Sequence, residues 1–130
     1  VGFGAKTVVI SGTPSVVVSE TPTGTPISRT GRYSGTSTSY QTVAEWEVSA
    51  GKVGNLEEVS LVTDQVAKTH WRLTVGGVQQ WADRLFYTSL SIPWRKVNTQ
   101  LPAGAKVTLE AKSTDGTSII ADGSISGIES

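Results

Sequence analysis

Residues Ala105–Ser113 read A-K-V-T-L-E-A-K-S, apolar and polar side chains in alternation. Ala105, Val107, Leu109 and Ala111 fall on one side, and Lys106, Thr108, Glu110 and Lys112 on the other. A period of two scatters apolar groups around a helix but lines one face of a strand, so the segment predicts a half-buried antiparallel β-strand. The same period recurs upstream. In Val43–Val48 it turns Ala44, Trp46 and Val48 inward and leaves Glu45 and Glu47 to water. In Leu56–Thr63 it buries Val59 and Leu61; in Thr69–Val75 it buries Trp71, Leu73 and Val75 beneath an outer row of His70, Arg72 and Thr74.

Turn chemistry separates these runs. Asp115-Gly116 accepts the positive dihedrals of a tight hairpin, with Thr117–Ala121 as the returning strand. Gly76-Gly77 predicts a second hairpin, and Asp122-Gly123 a further turn ahead of Ile125 and Ile128. Gly54 reads as a bulge and Asp64–Ala67 as a connection. Leu85–Ile92 predicts a strand with Phe86, Leu90 and Ile92 on one side, ended by Pro93. Val78–Leu85 admits two descriptions: a short strand at 78–81, or one helical turn carrying Val78, Trp81, Ala82 and Leu85. Short strands with turn signals about every eight to twelve residues predict an all-β fold, an antiparallel β-sandwich or barrel.

The pattern changes near residue 42. Residues 1–42 carry only Lys6, Glu20, Arg29 and Arg32 as charges, amid dense Ser, Thr, Gly and Pro. Two β-branched runs stand out, Val8, Val9, Ile10 and Val16, Val17, Val18, followed by the Thr-Pro-Thr-Gly-Thr-Pro stretch at 21–26. Proline fixes φ and removes a donor, so that stretch is expected to be extended and outside any sheet interior. The predicted division is an extended arm over 1–42 and a β-sandwich over 43–130. A disordered leader is the plainer alternative. Exposed runs this β-prone need cover, however, which favours an arm that adds strands to a neighbouring subunit.

Composition narrows the chemistry. Lys plus Arg and Asp plus Glu each number 11 in 130 residues, so the clustered positive charge needed for nucleic acid is missing. There is no cysteine, which removes disulfides and thiolate ligands. No apolar run reaches the roughly 20 residues of a membrane helix. His70 is the single histidine, so multi-histidine metal sites are excluded, and no Gly-x-Ser-x-Gly elbow occurs. Glu45 with Glu47, Glu57 with Glu58, Asp115 and Asp122 are the carboxylates that a glycosidase pair would draw on. Outward charges on strands and Asp before Gly have simpler roles in solubility and turns. No catalytic residue, metal or cofactor is assigned, and no enzyme is expected.

Four tryptophans are many for this length. Trp46 and Trp71 fall on inward faces. Trp81 and Trp94 are the candidates for an interface or ligand surface, because Trp94 precedes Arg95 and Lys96 and joins an aromatic to two cations in one connection. Packing at a strand edge is the competing role.

The runs Val59–Asp64 (V-S-L-V-T-D), Lys68–Val75 (K-T-H-W-R-L-T-V), Leu101–Leu109 and Thr114–Gly127 resemble small jelly-roll-like β-sandwich proteins of virus particles, notably capsid decoration and head-fibre proteins of tailed phages. The resemblance spans Val43–Glu129. It implies a jelly-roll-like sandwich, homo-oligomers such as trimers, a capsid or other assembly surface as partner, a virion-surface or extracellular location, and neither activity nor cofactor. The expected function is structural assembly through the N-terminal arm. The alternative is an extracellular carbohydrate-binding or adhesin module, with a glycan held by Trp81, Trp94 or Tyr87.

Overall fold

The alternating segments become strands of two stacked sheets. The computed structural model of the chain describes residues 24–94 and 100–130. Among these, the strands are β1 (Thr25–Gly35), β2 (Gln41–Glu47), β3 (Gly54–Thr63), β4 (Thr69–Val75), β5 (Val78–Arg84), β6 (Leu90–Pro93), β7 (Lys106–Ser113) and β8 (Ile119–Glu129). One sheet has the order β1-β8-β3-β6 and the other β2-β7-β4-β5, every pair antiparallel. Only β4 and β5 are joined within a sheet, through Gly76-Gly77, where both residues take positive φ (+59° and +82°) as a two-residue hairpin requires. Every other connection between consecutive strands crosses from one sheet to the other. That is the strand order of an eight-stranded jelly roll.

Several expectations need correction. Asp115-Gly116 does not close a hairpin, because β7 and β8 lie in opposite sheets. The turn is an arch: Asp115 accepts from the Thr117 hydroxyl (2.6 Å) and from Lys68 (2.7 Å), while Ser113 Oγ accepts the Gly116 N–H (3.0 Å). Asp122-Gly123 is no turn either and lies within β8. A Cβ at Gly123 would come within 2.5 Å of Leu109 Cδ2, so the glycine makes room for core packing. The bulge in β3 lies between Leu56 and Glu58 instead of at Gly54. Over Leu85–Ile92 only the end is strand, and Phe86 instead meets Trp81 edge-on at 5.4 Å. The 78–84 segment is strand throughout, which removes the helical alternative.

The division at 42/43 also moves. Thr25–Gly35 pairs along its full length with β8, and Val43 lies inside β2, so residues 25–42 belong to the sandwich. β1 looks unlike a strand in sequence because it is an edge: Pro26 is tolerated there, and Arg29 and Arg32 discourage edge-to-edge association. Residues 1–23, with Val8, Val9, Ile10, Val16, Val17 and Val18, lie outside the described residues. No helix among the described residues is long and apolar enough to cross a membrane.

The inward faces meet as expected. Trp46, Trp71, Leu73, Val107, Leu109, Ile119 and Ile125 are fully buried. Trp46, from β2, reaches the opposite sheet, where its indole N–H donates to Glu129 Oε2 at 2.9 Å. That carboxylate, only 5% exposed, also accepts the Ser49 N–H at 3.0 Å. These donors, the indole first, hold the Glu129 carboxyl below its ordinary range. The ring needs glycines beneath it: a Cβ on Gly127 would sit 2.7 Å from Trp46 and 2.6 Å from the Asn55 carbonyl. We therefore expect Gly127→Ala to lower stability by about 1–3 kcal/mol through overpacking, read from chemical denaturation with an unchanged m-value. A variant as stable as the parent would show that the seat is slack.

Candidate functional site

Strand pairing sets side chains in rows across the outer face of the β1-β8-β3-β6 sheet. Thr30 pairs with Ser124, Ser124 with Ser60, and Ser60 with Ser91, so one row crosses all four strands and every member carries a hydroxyl. The neighbouring row is Arg32, Asp122 and Val62. Directly opposite residues stand about 5 Å apart, close enough to act together on one ligand. These two rows, with Ser89 and Leu90 at the start of β6, line a concavity of about 870 Å³.

The charges in this groove satisfy one another. Arg32 Nε donates to Asp122 Oδ1 at 2.6 Å and its terminal nitrogen to Oδ2 at 3.0 Å, a bidentate pair. The pair holds the Asp122 carboxyl below its usual range, chiefly through the Arg32 hydrogen bonds. Ser60 and Ser91 hydroxyls share a bond of 2.9 Å. Thr30, Ser89 and Ser124 make no side-chain hydrogen bond among the described residues and present free hydroxyls. Among the described residues no histidine lines the groove, and both oxygens of its one carboxylate, that of Asp122, are engaged by Arg32. The arrangement is equipped to hydrogen-bond, with one exposed apolar side chain, Val62 (42% exposed), beside it, while Leu90 turns to the core.

The outer face of the other sheet carries a different cluster. Tyr40, just before β2, has the Arg72 guanidinium 4.3 Å and the Lys112 ammonium 4.6 Å from its ring centroid. Its hydroxyl donates to Asp83 Oδ1 (2.6 Å) and accepts the Asp83 N–H (2.7 Å). Asp83 takes a positive φ of +53°, uncommon for a residue with a side chain. Lys112 stands 3.3 Å from the same carboxylate and His70 3.9 Å, while Arg72 grips Glu110 with two bonds of 2.7 and 3.0 Å. Every charge here has a partner, so the cluster works as a latch that fixes the β1–β2 connection and the end of β5 onto β4 and β7.

Trp81 and Trp94 are half-buried and pack against the core, Trp81 beside Phe86 and Trp94 with its backbone N–H on Glu57 O (2.8 Å). Arg95 and Lys96 lie outside the described residues. Tyr87 is 74% exposed but lines no part of the groove. Of the acidic candidates, Asp115 and Asp122 serve ion pairs, Glu45 accepts from Thr108 (3.0 Å), Glu57 is the bulged residue of β3 and Glu58 follows it. The groove hydroxyls were missed. Their only trace in the sequence is the outward position of Ser60 in an alternating run, and nothing local tells that it meets Ser124 and Thr30.

No family model, no curated protein and no solved structure matches this chain.

Burial, followed by the bond to Asp83, pushes the Tyr40 hydroxyl up to about 12. A phenol whose folded pKa is raised favours its neutral form, so its contribution is present below pH ~10 and is lost as pH rises through about 12. We expect Tyr40→Phe to remove that alkaline loss in thermal melts recorded across this range. If parent and variant decline in parallel, the hydroxyl does not couple to folding.

Proposed function

We propose that this chain is a structural assembly protein of the virion-surface type, a jelly-roll unit that associates with copies of itself and attaches to a larger surface through its N-terminal segment. The strand order carries the proposal: β1 is a sheet edge, and residues 1–23 lead directly into it, with only Gly24 between. The segment that carries the Val-rich runs therefore joins the described chain at this edge strand, and the proposal is that it extends to a neighbour. Jelly rolls serve both as capsid units and as lectin domains, so the fold alone does not choose between them. The segment tips the balance, because apolar runs buried on a neighbour return roughly 25 cal/mol per Å² before ordering costs.

The full chain is expected to sediment as a trimer or larger species at micromolar concentration. Placing a charge in each run of the full chain, Val9→Asp with Val17→Asp, is expected to return it to monomer with an unchanged melting transition. A parent chain that is monomeric throughout, or a charged variant that assembles as before, contradicts the proposal.

A further inference from the structure

We infer that the groove across β1, β8, β3 and β6 is a binding site for a neutral, hydroxyl-rich ligand, a short saccharide. The charge balance of its described lining argues against the other common small ligands. A phosphate or carboxylate needs an uncommitted cation, but Arg32, the only cation among the described residues of the lining, is neutralised in a bidentate pair with Asp122. A cationic ligand meets the same obstacle, since Asp122 is the only carboxylate there among the described residues. What remains on offer is hydrogen bonding.

The supply is large. Thr30, Ser89 and Ser124 hydroxyls have no protein partner among the described residues, and Ser60 and Ser91 spend only one bond on each other. A guanidinium has five N–H donors and a carboxylate about four lone-pair sites, so a bidentate pair that uses two of each can still donate to one hydroxyl and accept from its neighbour. Adjacent hydroxyls with both roles are what a sugar ring carries. Val62, 42% exposed, provides an aliphatic contact for the C–H face of the ring.

Size agrees with this chemistry. The hydroxyl row spans four strands, roughly 14 Å at ~4.8 Å per strand spacing, about the length of a trisaccharide. The volume of about 870 Å³ lies within the range of small-molecule sites. No aromatic side chain lines the groove among the described residues, so affinity without ring stacking is expected to be modest. This site is independent of the N-terminal segment, and either proposal can fail without the other.

The test is amide-resolved NMR titration of the full chain with neutral gluco-, galacto- and manno-trisaccharides, each alone, and with inorganic phosphate as the charged comparator. At least one trisaccharide is expected to shift the amides of Thr30, Ser60 and Ser124. Ser124→Leu, which fills the groove, and Asp122→Ala, which breaks the pair, are each expected to weaken that binding by about tenfold or more with the fold intact. Thr30→Leu on the edge strand serves as a second filling variant should Ser124→Leu fold poorly. The inference is overturned if no trisaccharide shifts these amides at millimolar concentration, if the shifts persist in the filled variant, or if phosphate moves them more than any sugar.

Discussion

The indole of Trp46 spans the gap between the two sheets, and the arrangement of the rest depends on it. Its N–H ends on a buried carboxylate of the opposite sheet, and its ring rests where Gly54 and Gly127 leave room for it. A jelly roll whose strands alternate between sheets gains little from local hairpins, and here only β4 and β5 form one. Non-local contacts must therefore fix how the sheets face each other. A buried indole–carboxylate bond does this with direction as well as burial, since leaving either partner unsatisfied costs more than the bond is worth on balance.

Once the inner faces are committed, chemistry is left to the outer ones, and the two faces differ. On β4 and β7 the charges are consumed locally: Arg72 by Glu110, Lys112 and Tyr40 by Asp83. That face is a latch. On β1, β8 and β3 the side chains are short, mostly hydroxyls, around one self-neutralised ion pair. Short side chains on a twisted sheet leave a hollow, and the unspent hydroxyls make it hospitable to polar ligands without favouring either charge. Under the proposed function, this hollow is separate from the segment that would join neighbouring copies.

Much of the scaffold was legible because period-two alternation is a local signal. Thr69–Val75 appears as a strand with the predicted bounds, and Trp46, Trp71, Leu73, Val107 and Leu109 are buried as their positions require. Long-range features were not legible. Asp122-Gly123 has turn composition, yet its glycine serves Leu109 packing and its aspartate reaches Arg32, 90 residues away. β1 was hidden because an edge strand keeps a polar, proline-bearing sequence, and its membership of the sheet is decided by β8. The groove needed both facts. Its row of Thr30, Ser124, Ser60 and Ser91 exists only through the register of three strand pairings, and no window of sequence contains it.

The central claim is that Trp46 and Glu129 act as one unit across the sheets. A double-mutant cycle tests it most directly, with Trp46→Phe, Glu129→Met and the combined variant compared by chemical denaturation at neutral pH. The account predicts strong non-additivity: once either partner is lost, changing the other adds little further loss. Losses that simply sum would mean the indole and the carboxylate act separately, and the sheets would then have to be held in register by something else.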